Sequence, residues 1–95
     1  MTVVDRNPPE SAINIGSDHF VEKVYYEGQW VGIHEWHKTP TGEWCVGWVP
    51  FSTSPIATGD TWDVHELDPL TISPSLLCRG CGSHGFIRSG AWVQA

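Results

Sequence analysis

The segment from Cys78 to His84 places three good metal ligands, Cys78, Cys81 and His84, within seven residues. Cysteines at positions i and i+3 can direct both thiolates at one ion when the backbone between them turns tightly. Gly80 and Gly82 allow such a turn, because glycine adopts positive φ without a steric penalty. Thiolates and imidazoles are the usual ligands of structural zinc, so this spacing predicts binding of Zn²⁺.

A structural zinc ion usually takes four protein ligands, so the fourth ligand must come from elsewhere in the chain. His37 is the first choice, because it ends a strand-like segment before a proline turn, where a side chain can point inward. Cys45 begins the next strand-like segment and ranks second. His65 and His34 follow, and His34 can join His37 only if the strand ends between them. The predicted ligands are therefore His37, Cys78, Cys81 and His84, with Cys45, His65 and His34 in reserve.

The motifs of catalytic zinc sites match this sequence poorly. His34 and His37 lie three positions apart in a strand-like context, whereas zinc-protease helices carry their histidines at i and i+4. The H-x-E and P-C-x-x-C pair of nucleobase deaminases is not matched either. A site with three protein ligands and a bound water stays open as an alternative, and in it Glu35 or Glu66 would be the general base.

Alternating β-branched and aromatic residues predict the strands that must position these ligands. A β-meander is expected over 20–26, 30–37 and 44–49, a further strand over 61–67, and a final hairpin over 86–93 around the turn Ser89-Gly90. Residues 1–18 contain Pro8 and Pro9 and predict a loose amino-terminal arm, in which the alternation at Ile13 and Ile15 allows a short edge strand. Residues 19–95 are expected to form one all-β domain, a small β-meander plus a zinc-ribbon-like hairpin around one metal site.

The composition restricts the kinds of partner. The chain has 95 residues, a net charge of −6 with neutral histidines, and six tryptophans. A domain of this length has a small core, which a bound metal commonly supplements. The basic residues are scattered, which argues against general nucleic-acid binding. The tryptophans mainly predict core packing, but they leave open a pocket for a small nucleotide signal, with Arg79 or Arg88 as its basic group.

Cysteine content and hydropathy predict the compartment. Three cysteines are an odd number, which argues against a disulfide framework. No apolar run approaches the ~20 residues of a membrane span, so no membrane association is expected. The first residues lack a basic start followed by an apolar run, so no signal peptide is expected. The predicted compartment is the cytoplasm, where thiolates are free to hold a metal.

Two motifs near the carboxyl terminus suggest an origin. Residues 70–75 read L-T-I-S-P-S, and residues 84–92, after the cysteine turn, read H-G-F-I-R-S-G-A-W. This third of the chain resembles a family of small uncharacterised proteins of bacteriophages and bacteria. The resemblance implies phage origin, a zinc-stabilised fold and metal ligands in both halves of the chain, which favours His37 or Cys45 as partners of the later cluster. It implies no reaction.

The remaining polar residues have simpler predicted roles. The hydroxyls of Ser73 and Ser75 flank Pro74, and we expect them to cap backbone groups or to donate to a cysteine sulfur at the metal site. His19 is expected on the surface. Small acidic phage proteins usually bind rather than catalyse, so the expected function is an interaction module on a host or phage protein, acting in the host cytoplasm. A zinc hydrolase and a nucleotide binder are the alternatives.

Overall fold

The computed structural model describes residues 1–95 and contains ten β-strands and no helix. The strands are β1 (Thr2–Val4), β2 (Ile13–Gly16), β3 (His19–Tyr26), β4 (Gln29–Lys38), β5 (Trp44–Pro50), β6 (Asp63–Leu67), β7 (Leu70–Ser73), β8 (Leu76–Leu77), β9 (His84–Arg88) and β10 (Ala91–Gln94). The predicted all-β class is therefore confirmed. No helix is available that could span a membrane.

The largest sheet has five antiparallel strands in the order β1-β5-β4-β3-β2. Its centre is the meander β3-β4-β5, as the alternating residues predict. Glu27 and Gly28 link β3 to β4 at φ values of 50° and 80°, which is the left-handed pair that a two-residue hairpin turn requires. Residues 1–18, expected to be a loose arm with a possible edge strand at Ile13 and Ile15, supply both edges of the sheet, because β1 pairs with β5 and β2 with β3.

The carboxyl-terminal half forms two small sheets, β10-β9-β8 and β6-β7. The predicted final hairpin is present, with Arg88 paired to Ala91 across Ser89 and Gly90. Both turn residues have positive φ, 50° and 74°. This hairpin packs over the large sheet together with β7 and β8.

The hydrophobic core lies between the inner face of the large sheet and these carboxyl-terminal strands. It consists of Val21, Ile33, Val49, Phe51, Leu70, Ile72, Leu76, Ile87 and Trp92. Because side chains alternate along a strand, Ile33, Glu35 and His37 of β4 all point to this inner face. The apolar core is thus continuous with a set of buried polar side chains at one end of β4.

Tryptophans also cover the outer face of the large sheet. Trp36 is completely buried there, with the guanidinium of Arg6 4.7 Å from its ring centre. Trp44 is half-buried, and Lys38 lies 5.2 Å from its ring. The amino-terminal segment therefore helps to close the outer face.

Candidate metal centre

Three cysteines and one histidine converge at the end of the core. The imidazole of His37 and the sulfurs of Cys45, Cys78 and Cys81 all lie within 4.8 Å of one another. Tetrahedral zinc with thiolate bonds of about 2.3 Å would separate its ligand atoms by about 3.8 Å. Three of the four residues are buried and Cys81 is half-buried. This group has the size and the ligand types to hold a metal ion.

Strand register brings His37 and Cys45 together. The two residues are direct partners in the β4–β5 ladder. Directly opposed residues of antiparallel strands project from the same face. The hairpin that the sequence predicts therefore places the imidazole beside the thiol, on the inner face of the large sheet.

The cysteine turn supplies the other two ligands from the opposite side. Cys78 follows Leu76 by two positions, and both are buried, with 1% and 0% of their surface exposed. The amide of Cys78 donates to the carbonyl of Ser83 at 2.8 Å, and that of Gly82 donates back to the carbonyl of Cys78 at 2.7 Å. This tight turn returns Cys81 to the group, with its sulfur 3.2 Å from Nε2 of His37.

Cys45, rather than His84, lies beside His37, Cys78 and Cys81. His84 is paired with Leu77 in the β8–β9 ladder, so their side chains share a face. That face points away from the core, because Leu77 is 51% exposed while Leu76 is fully buried. The Nε2 atom of His84 instead lies 2.8 Å from Oγ of Ser75.

The reserve histidines also lie outside the group. His65 is exposed on β6, and its Nε2 is 2.6 Å from Oγ of Ser73. His34 projects from the outer face of the large sheet, where its Nδ1 lies 3.2 Å from Glu22. The hydroxyls of Ser73 and Ser75 thus contact histidines and not the cysteine sulfurs.

The cysteine thiols ionise unequally while no metal is bound. Burial and the neighbouring sulfurs of Cys78 and Cys81 raise the pKa of Cys45 to about 11. Burial also opposes ionisation of Cys78, but hydrogen bonds from the Cys81 backbone, the Cys81 thiol and His37 lower its pKa to about 7. The thiolate of Cys78 therefore forms readily, and its negative charge opposes ionisation of Cys45. A divalent cation would remove that repulsion.

A buried carboxylate orients the imidazole of His37. The Nδ1 atom of His37 is 2.8 Å from one oxygen of Glu35, and the other oxygen is 2.5 Å from Nδ1 of His19. The ring of His19 stacks on Trp92 at 3.7 Å, with only 10° between the planes. Once Nε2 has lost its proton and His37 donates Nδ1–H to Glu35, the lone pair of Nε2 faces the sulfurs.

The hydrogen bonds between Glu35 and its two histidines also determine which of these groups are charged. Burial alone would raise the pKa of Glu35, but hydrogen bonds from His19 and His37 outweigh it and lower the pKa. Burial would lower the pKa of His37, but the hydrogen bond and the charge of Glu35 raise it to about 9. Without a metal, His37 is therefore an imidazolium at neutral pH, and it must lose one proton to bind a cation.

Neither carboxylate considered as a catalytic base faces the four ligand atoms. Glu35 lies behind His37, and both of its oxygens are occupied by histidines. Glu66 is exposed on β6. Four protein ligands would also fill a tetrahedral shell, leaving no position for a reactive water.

Comparisons with protein-family models, curated proteins and solved structures find no match to this chain. The likeness of residues 70–92 to small phage proteins therefore stays a prediction.

Proposed function

We propose that this protein is a zinc-stabilised interaction module in which His37, Cys45, Cys78 and Cys81 bind one structural Zn²⁺. The observation that carries the proposal is the convergence of these four ligand atoms within 4.8 Å. Two ligands come from the β4–β5 hairpin and two from the turn between β8 and β9. Zinc at this point would join the large sheet to the carboxyl-terminal sheet.

The ligand types favour zinc over other common divalent ions. Thiolates are soft ligands that magnesium and calcium avoid, and three cysteines with one histidine are a standard tetrahedral zinc set. The carboxylate of Glu35 behind His37 supports the same assignment, because such an acceptor fixes the tautomer and the orientation of a zinc-bound imidazole.

A binding role is better supported than a hydrolytic one. A zinc hydrolase needs an open coordination position and a base beside it, and Glu35 and Glu66 both lie where they cannot serve. The resemblance to small phage proteins adds the expectation that the partner is a protein of a bacterial host or of the phage itself.

Metal analysis tests the zinc part of the proposal. The purified chain should contain one zinc per protein, and Co²⁺ in its place should give the absorption of a tetrahedral thiolate site. Chelation and Cys78→Ser should each lower the melting temperature strongly, because zinc-binding free energy contributes to folding. A zinc-free protein whose melting is unchanged by chelator would contradict it.

The interaction part needs purified components. The zinc-loaded protein is immobilised and exposed to a bacterial lysate, and each captured protein is then purified and titrated against it in solution. We expect saturable binding with a fixed stoichiometry, lost after chelation. If no captured protein binds in the purified system, the interaction role is wrong even where the zinc site is correct.

A further inference from the structure

A cavity of about 730 Å³ opens beside the cysteine turn, between β5 and residues 58–62. It is lined by two tryptophans, one arginine and several hydrogen-bonding side chains, namely Trp48, Trp62, Arg79, Thr58, Asp60 and Ser75. Its volume is within the usual range of small-molecule sites. Neither the proposed zinc site nor its supporting carboxylate uses these residues.

Arg79 differs from every other basic side chain of the protein. The other four each lie over an aromatic ring: Arg6 over Trp36, Lys23 over Trp30, Lys38 over Trp44 and Arg88 over Phe86, at 4.1–5.2 Å. Arg79 is exposed at the cavity and has neither an aromatic nor a carboxylate partner. Its guanidinium is therefore available to an anion.

The two tryptophans of the cavity are held in place but remain partly exposed. The indole N–H of Trp62 donates to the carbonyl of Ser75 at 3.3 Å, and its ring packs against the hydrophobic core. Trp48 makes an edge contact with His34, with ring centres 5.6 Å apart. Both rings are half-buried, so part of each stays open to a ligand.

We propose that this cavity binds a nucleoside monophosphate. A flat base would stack on indole surface, which accepts any nucleobase because each presents a π face. The guanidinium of Arg79 would bind the phosphate through paired hydrogen bonds. Thr58 and Asp60 offer a hydroxyl and a carboxylate for the polar groups of the ribose or the base.

The cavity and the metal centre share one segment. Arg79 lies between Cys78 and Cys81, so the turn that presents two sulfurs on one side presents the guanidinium on the other. The nucleotide site is nevertheless separate in its chemistry, because none of the four metal ligands lines the cavity.

Calorimetric titration of the zinc-loaded full chain tests the proposal. The four common ribonucleoside 5′-monophosphates are compared with the matching nucleosides and with inorganic phosphate. At least one nucleotide should bind with a Kd below about 1 mM. Its nucleoside and inorganic phosphate should each bind at least about tenfold more weakly than the nucleotide, since each lacks one of the two contacts. Ligand-induced NMR shifts should include the indole N–H signals of Trp48 and Trp62.

Matched variants assign the contacts. Arg79→Ala should weaken nucleotide binding about 10- to 100-fold, whereas Arg88→Ala removes the same charge outside the cavity and should leave the affinity unchanged. Trp48→Leu should weaken it about tenfold. Zinc content and melting temperature are measured for each variant, so loss of fold or metal is recognised separately.

Two results would overturn the nucleotide site. One is that none of the four nucleotides binds detectably at concentrations up to about 5 mM, because such a result excludes a Kd below about 1 mM. The other is binding that survives Arg79→Ala in a folded, zinc-loaded variant. Either outcome can occur with one zinc bound per chain, so it leaves the proposed metal centre intact.

Discussion

The inner face of the large sheet has two halves with opposite chemistry. Towards the β3–β4 turn it carries Ile33 and Val49, which are fully buried against apolar side chains from the carboxyl-terminal strands. Towards the other end it carries Glu35, His37 and Cys45, which are buried to the same extent. The change from apolar to polar side chains occurs within β4, between the successive inward-facing residues Ile33 and Glu35.

The two halves must be stabilised by different forces. Burial of apolar surface is favourable without any further partner. Buried thiols, imidazole and carboxylate are costly unless they are hydrogen-bonded or hold a cation. Depth of burial alone therefore does not determine which forces hold a site together. The apolar half is complete with protein alone, whereas we propose that the polar half is completed by zinc.

Exchanging the ligand residues should break the polar half most severely. Cys45→Ser should abolish stoichiometric zinc binding and lower the free energy of unfolding by about 5 kcal/mol or more. His84→Ala should keep one zinc and lose about 1 kcal/mol, because it removes only the contact with Ser75. Zinc analysis measures the metal content of the two variants, and urea unfolding measures their free energies of unfolding. Zinc retained in the Cys45 variant and lost in the His84 variant would restore the ligand set that the sequence predicts.

A cavity in the apolar half should destabilise the fold without changing the metal content. Ile33→Ala removes buried methyl groups from a fully buried position and should reduce the free energy of unfolding by about 3 kcal/mol. Zinc should stay at one per chain in the folded variant. Val93→Ala, at a partly exposed position of β10, is the control and should change stability little. Loss of zinc from a folded Ile33 variant would mean that the two halves are not independent.

The polar half should respond to pH with a definite sign. Without metal, His37 has a pKa of about 9 and Cys45 one of about 11, so near pH 8 both are mainly protonated and both must release a proton to bind zinc. Apparent zinc affinity should therefore rise with pH by at least about 100-fold per unit there, about tenfold for each of these two protons. Competition with a chelator of known affinity measures the slope. An affinity that is constant with pH would exclude these two residues as ligands.

The smallest expected effect concerns the carboxylate behind the histidine ligand. Glu35→Gln keeps the shape of the side chain but removes the charge that faces His37 and His19. Zinc affinity should fall about 10- to 100-fold, as is usual for such supporting residues. Glu66→Gln, on the exposed side of β6, should leave the affinity unchanged. Equal affinities in both variants would show that Glu35 only fills space.

The strands were predictable from the sequence where local signals are strong. The β3-β4-β5 meander follows from alternating β-branched and aromatic residues. The pair Ser89-Gly90 predicts its hairpin turn because Ser-Gly is a common turn signal and glycine adopts positive φ freely. The alternation of Ile13 and Ile15 indicated the edge strand β2, but β1 was missed, since three residues carry little propensity and depend on a neighbouring strand.

The composition of the metal group depended on registers that local sequence does not reveal. His84 looks like a ligand because it follows the two cysteines closely. Its direction is set by pairing with Leu77 in the two-residue strand β8, which has no sequence signal of its own. Cys45 could be ranked only second, because its distance from the cysteine turn depends on how two sheets pack.

The network around Glu35 was missed for a related reason. His19 was expected on the surface but is 5% exposed, and it is paired with His37 in the β3–β4 ladder. A register shift between Val24 and Tyr25 creates that pairing. Without the shift, His19 would oppose Trp36 and point to the other face of the sheet. Only the alternation of Glu35 and His37 could have indicated a shared inward face.

The isolation of Arg79 has a consequence for long-range selectivity. The chain carries a net charge of −6, and Arg79, the one Lys or Arg side chain that lies over no aromatic ring, lines the cavity. A nucleic-acid strand approaching the protein would meet net repulsion, because the five basic residues are scattered and form no continuous track to release its counterions. A mononucleotide carries far fewer charges than a strand and is repelled less, so we expect the overall field to disfavour the polymer more than the monomer that we propose as ligand.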